Sequence, residues 1–159
     1  MKNNNIKLLV LDVDGTLTDG KVYIGESGEL FKAFDIKDGL GIHNILPENG
    51  IIPAIITGRS SKMLEQRCKE IGIEYLYQGV TDKTEKLKEL LETLKLDYSN
   101  YAYMGDDIND LPCMEKAALV GCPEDAVEPV KRKADYIAKK PGGNGAVREF
   151  IDWICTKEE

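Results

Sequence analysis

Two aspartates one residue apart, Asp12 and Asp14, close a run of apolar residues in LLVLDVDGTLTDG (8–20). Further along, Thr57 follows the apolar run GIIPAIIT, and Asp106, Asp107 and Asp110 follow YAYMG. A single aspartate after a strand caps a turn or a helix as readily as it binds anything. Five carboxylates delivered to one edge are different. Unpaired, they repel and drive one another's pKa upward, so a bound cation is the economical explanation. All-oxygen donors, with one histidine in the chain and no cysteine pair nearby, favour Mg²⁺ over zinc.

Something must bring those carboxylates together. KLLVLDV is short and almost continuously apolar, the pattern of a strand buried on both faces of a parallel sheet. Similar runs recur at 50–57, 73–79, 101–105, 118–121 and 135–138. Helical patterns separate them. SSKMLEQRCKEIG precedes the third run, and in DKTEKLKELLETLKL the residues Leu87, Leu90, Leu91 and Leu94 recur at three- and four-residue steps behind Asp82 and Glu85, spaced as a capping box. This alternation predicts an α/β fold of three layers, Rossmann-like, with a mainly parallel sheet. In such sheets ligands bind beyond the carboxyl ends of the strands, where the aspartates fall.

Two segments break the alternation. In KVYIGESGELFKAF (21–34), Val22, Tyr23 and Ile24, then Leu30, Phe31 and Phe34, flank a GESGE turn, which predicts a β-hairpin arm. KKPGGNGAVRE (139–149) reads as a mobile glycine loop before a last helix with Val147, Phe150, Ile151 and Ile154 on one face, the two together forming a tail over 139–159. His43, the only histidine, falls in a helical pattern and reads as structural or solvent-facing.

With 159 residues, 42% of them hydrophobic, the chain fits one domain over 1–159. A net charge of -7 argues against a nucleic-acid partner or an anionic membrane surface. No run approaches a membrane span, the start MKNNN lacks a signal-peptide core, and the four cysteines are scattered as in a reducing compartment; a cytoplasmic protein is expected.

DVDGT (12–16), ITGR (56–59), Lys83 and GDDIND (105–110) resemble the four motifs of the haloacid dehalogenase superfamily of phosphotransferases, in order. The resemblance implies Asp12 as the nucleophile that forms an aspartyl phosphate and Asp14 as the general acid and base. It implies Mg²⁺ held by Asp12, the carbonyl of Asp14 and Asp106, and the phosphoryl group held by Thr57 and Lys83. Gly58 and Thr16 join the substrate-binding set. Asp107, Asn109 and Asp110 are expected in support, with a helix N-cap as the alternative reading of Asn109.

Many members of the superfamily close the site with an inserted cap. The stretch from Asp14 to Thr57 holds only the hairpin, a helix and a strand, and that from Thr57 to Lys83 one helix and one strand, so no cap domain fits. The TDG after DVDGTL, the hairpin, DGLGI, TGRSS, YQGV before DK and the GGNGAVRE tail are similar to the capless branch of 3-deoxy-D-manno-octulosonate 8-phosphate phosphatases and relatives acting on nine-carbon sugar acids. Thr16 stands where that branch often has Val. The branch implies Arg59 on the sugar-acid side of the ligand and a homotetramer whose hairpins roof neighbouring sites. Independently of the branch, Arg148 in the tail supplies a charge suited to a carboxylate or phosphate. A phosphatase for another phosphometabolite and a non-catalytic assembly module are the competing readings.

Overall fold

The computed structural model describes residues 5–156; the ends of the expected 1–159 domain and 139–159 tail lie outside the described residues. All six apolar runs become strands of one sheet: β1 (Leu8–Leu11), β4 (Ile52–Ile56), β5 (Tyr75–Tyr77), β6 (Tyr101–Met104), β7 (Leu119–Cys122) and β8 (Tyr136–Ile137). Every pairing is parallel and the order is β5-β4-β1-β6-β7-β8. The chain first builds outward from β1 to β5, then returns to add β6 on the other side of β1. That reversal opens a crevice at the carboxyl end of β1.

Strand periodicity divides the core. Leu9 and Leu11 point to a cluster completed by Ile42 and Leu46, by Leu64 and Cys68 of α3 (Lys62–Ile71), and by Val147, Phe150 and Ile151 of α7 (Ala146–Cys155). Leu8 and Val10 point the other way, to Leu87, Leu90 and Leu91 of α4 (Lys83–Leu94), Met114 of α5 (Leu111–Met114) and Val130 of α6 (Glu128–Lys133). Three layers result, as the alternation predicts. Cys68, Cys113 and Cys122 are buried, Cys155 is partly so, and all four are free thiols.

The helix containing His43 runs as α1 (Ile36–Leu40), a π turn over Gly41–Ile45, and α2 (Leu46–Glu48). The wider turn immediately precedes Pro47, which has no N–H to offer an α ladder. His43 is exposed. At α4 the Asp82 half of the predicted capping box forms, Asp82 Oδ1 accepting from the Thr84 and Glu85 N–H groups at 3.1 Å.

The hairpin is shorter than the apolar pattern suggests. β2 (Ile24–Gly25) and β3 (Gly28–Glu29) pair over two residues each, extended by the Leu30 N–H donating to the Tyr23 carbonyl at 2.8 Å and by Tyr23 stacked on Phe31. Phe34 does not belong to the arm: it packs against the core, with the Arg67 guanidinium over its ring.

The glycine tail is not a free loop. The Gly143 N–H donates to the Thr16 carbonyl, and a Cβ on Gly142 would lie 2.0 Å from the Gly15 oxygen. Glycine is needed there because two backbones touch.

Gly145, at the N-cap of α7, has no side chain to satisfy the helix's first N–H groups, and Asp38 of α1 does so from outside. Its Oδ1 accepts from the Arg148 N–H at 2.9 Å while Oδ2 is buried without a partner. Burial pushes the Asp38 carboxyl up from 3.8 to about 6. The folded chain therefore holds this proton more tightly than the unfolded one. The corresponding stability is fully present below pH 3.8 and is lost as pH rises through about 6. From pH 4 to pH 7, urea titrations should show the stability difference moving in favour of Asp38→Asn over wild type by about 1–3 kcal/mol.

Candidate active site

Asp12 follows β1 directly, its N–H donating to the Met104 carbonyl of β6. Beyond it the chain folds into a tight turn in which the N–H groups of Thr16, Leu17 and Thr18 all return to the Val13 carbonyl. Although the strand stops at Leu11, Asp12 and Asp14 line one cleft of about 220 Å³, together with Thr57, Gly58, Arg59, Asp106, Asp107 and Asn109. Three loops at the carboxyl ends of β1, β4 and β6 meet there.

Lys83 occupies the first position of α4, on the face of the sheet to which Asp12 points. Its Nζ lies 2.9 Å from Asp12 Oδ1 and 3.0 Å from Asp110 Oδ1. Burial works against this ammonium, but Asp12 and Asp110 outweigh it and leave its pKa above the ordinary lysine value. Asp110 is fully buried and saturated. Oδ1 accepts from Lys83 and from the Tyr103 hydroxyl at 2.7 Å, and Oδ2 from the N–H groups of Asp106 and Asp107 at 3.0 and 3.2 Å. One carboxylate thus fixes both the lysine and the loop carrying Asp106.

Asp12 and Asp106 remain unbalanced. Burial, then the Asp110 charge, pushes the Asp12 carboxyl upward despite Lys83; burial, then Asp12, does the same to Asp106. One oxygen each of Asp12, Asp106 and Asp110 lies within 4.8 Å of the others. Since Asp110 already accepts four hydrogen bonds, Asp12 and Asp106 are the two carboxylates with capacity to spare. A hard divalent cation fits that pair, offsetting its repulsion with oxygen donors. Close approach is built into the backbone: Gly15 has φ +90°, and a Cβ there would fall 1.9 Å from Asp106 Oδ2.

Several expected residues stand elsewhere or act differently. Thr16 is fully buried and does not line the cleft; its hydroxyl donates to Asp106 Oδ1 at 3.2 Å, so it steadies a carboxylate where substrate binding was expected. Arg148 is not brought to the cleft. Its Nε pairs with Asp152 at 3.0 Å, one turn along α7, and Nη1 donates to the Lys37 carbonyl. Asn109 is not an N-cap: Asp107 caps the 3₁₀ turn Ile108–Asp110, its Oδ1 accepting from the Ile108 N–H at 2.7 Å, while Asn109 lines the cleft.

Two residues escaped the sequence reading. Lys32 and Glu29, both on or beside the hairpin, fold back on the site, Lys32 Nζ reaching Asp14 Oδ1 at 3.1 Å. The available signal was a pair of opposite charges, Glu29 and Lys32, three residues apart around the apolar Leu30 and Phe31.

Residues 73–151 match the family model for haloacid dehalogenase-like hydrolases. The 3-deoxy-D-manno-octulosonate 8-phosphate phosphatase of Escherichia coli K12 is 48% identical over 157 residues, 99% of this chain and 83% of that protein. The chain belongs to this phosphatase family. Among solved structures, the family's enzyme from Yersinia pestis superposes with a TM-score of 0.92 at 45% identity, covering 96% of this chain and 82% of that one. The Moraxella catarrhalis enzyme, described with magnesium, phosphate and the sugar acid bound, gives a TM-score of 0.91 at 44% identity over 96% of this chain and 87% of its own. The family fold is capless, and no segment of the described residues forms a cap here.

Proposed function

We propose that this chain is a Mg²⁺-dependent phosphatase that hydrolyses 3-deoxy-D-manno-octulosonate 8-phosphate to the free sugar acid and inorganic phosphate. The observation that carries the reading is the cleft where Asp12, bound to Lys83, faces Asp106 beside Asp14, Thr57 and Arg59. Relatives 44–48% identical to this chain are 3-deoxy-D-manno-octulosonate 8-phosphate phosphatases, which supports the reading.

Lys83 holds Oδ1 of Asp12, which leaves the other oxygen to attack phosphorus. The phosphorus–oxygen bond to the sugar breaks, and Asp14 gives its proton to the departing oxygen. Water then attacks the aspartyl phosphate and passes its proton to Asp14, freeing Asp12 and inorganic phosphate. Thr57 and Lys83 hold phosphoryl oxygens, Arg59 meets the sugar-acid end, and Asp110 keeps Lys83 and the Asp106 loop in place. Asp12, the Asp14 carbonyl and Asp106 would hold Mg²⁺, which supplies positive charge against the phosphoryl oxygens.

Phosphate release from the eight-carbon acid phosphate, from nine-carbon 2-keto-3-deoxy acid 9-phosphates and from simple sugar phosphates tests the assignment. Turnover should be fastest on the first, vanish in EDTA and return with Mg²⁺. Equal or faster turnover of a nine-carbon acid would reassign the substrate, and no turnover of any of them would leave an assembly module.

The proposal includes a homotetramer. Ile24 and Leu30 are 68% and 63% exposed on the arm, Val22 and Phe31 are exposed beside them, and Ile36 and Leu40 continue the strip on α1. That is more apolar surface than a two-stranded arm keeps in water. Burying it between copies would also shut the open side of a capless cleft. Light scattering should give four chains per particle, and Phe31→Asp should dissociate it with loss of sugar-acid turnover; a fully active monomer would refute the assembly. Among the described residues no helix is long and apolar enough to cross a membrane. Free thiols and a phosphorylated metabolite as substrate suit the cytoplasm.

A further inference from the structure

Lys32 sits in an unusual place for a lysine on a projecting arm. Its side chain is only 5% exposed, while its neighbours Leu30 and Phe31 face solvent. An arm lysine that served solubility would run outward and keep its ammonium in water. Here Nζ contacts Asp14 Oδ1 at 3.1 Å and the Glu29 carboxylate at 3.2 Å, and Glu29 Oε2 in turn lies 3.6 Å from Arg59 Nη2. Arg59, Glu29, Lys32 and Asp14 form one row of alternating charge from the β4 loop, across the arm, to the β1 loop. Among the described residues, Lys32 is the only side chain that hydrogen-bonds the Asp14 carboxylate.

We propose that Lys32 is the positioning residue of the general acid and base. An ammonium has donors only, so Lys32 fixes Oδ1 as the acceptor of that contact and leaves Oδ2 for proton transfer. Asp14 must act twice in a turnover, first as acid and then as base, and it must occupy the same place both times. Its own backbone does not secure that: the side chain is 26% exposed at the rim of the cleft. Glu29 completes the device by holding Lys32 from the other side and tying it to Arg59. The hairpin therefore governs the chemistry of its own cleft, separately from any contact with a neighbouring copy.

This inference rests on the phosphatase reading, and the test keeps the two apart. A sugar-acid phosphate has an alkoxide leaving group that needs the proton from Asp14; p-nitrophenyl phosphate has a phenolate that hardly does. Single-turnover release of the leaving group is measured for both, with Mg²⁺, on wild type, Lys32→Met, Lys32→Arg and Glu29→Gln. In Lys32→Met, release from 3-deoxy-D-manno-octulosonate 8-phosphate should slow about tenfold or more, and p-nitrophenolate release by less than about twofold. Lys32→Arg should restore most of the loss, and Glu29→Gln should show the same substrate-selective defect at smaller size. An equal fall on both substrates, or no fall on either, overturns the positioning role. Wild type failing on both substrates overturns the phosphatase reading instead.

Discussion

Asp12→Asn should release phosphate at less than about one thousandth of the wild-type rate, because a nucleophile that acts with a bound partner takes nearly all catalysis with it when removed. The amide matches the carboxylate in shape but cannot form an aspartyl phosphate. Folding should survive. Burial and the Asp110 charge already push the Asp12 carboxyl upward, so neutralising it relieves repulsion, and Lys83 keeps Asp110 as a partner at 3.0 Å. Thermal unfolding should occur at or above the wild-type temperature, and acid-quenched enzyme should carry no phosphoryl label from substrate. Substantial residual turnover by a folded Asp12→Asn protein would remove Asp12 from the nucleophile role.

Asp12 was legible in the sequence for a physical reason. A strand buried on both faces of a parallel sheet has almost no tolerance for polar residues, so the first carboxylate after LLVL marks the strand's end and hence the ligand edge. The same logic located Thr57 after β4 and Asp106 after β6. Lys83 was harder, since a lysine opening a charged helix usually lies in solvent; only the third dimension shows it reaching Asp12 and Asp110.

Where the reading differed from the structure, the cause was local chemistry competing with an apparent function. Arg148 looked like a spare charge, but Asp152 stands four residues later on the same helix and satisfies it. Gly142 suggested mobility, whereas its missing Cβ makes room for the Gly15 carbonyl. Thr16 closes the DVDGT motif yet is turned inward, its N–H bonded to the Val13 carbonyl and its hydroxyl meeting Asp106. Lys32 could not be placed because the bend that carries the arm back over Asp14 depends on packing between segments far apart in the chain, such as Phe34 beneath Arg67.

Asp14→Asn separates the two halves of the reaction. General acid and base help is worth about 10²–10⁴-fold, and the proposed mechanism assigns it to this residue in both halves, so steady-state turnover of the sugar-acid phosphate should fall by that factor. Asparagine keeps an oxygen for Lys32 and preserves the turn, so the cleft itself is unchanged. With p-nitrophenyl phosphate, whose leaving group departs without a proton, the first half should still proceed. The second half should not, because no base remains to take the proton from the attacking water. Mixing this variant with that substrate and Mg²⁺ should therefore give a burst of close to one p-nitrophenolate per active site, then near-arrest, with the phosphoryl group recoverable on Asp12. A variant that shows neither burst nor label, although folded and able to bind Mg²⁺, would mean that Asp14 is needed for the attack of Asp12 on phosphorus and not for proton transfer alone. A burst followed by rapid turnover would assign the base to another residue of the cleft.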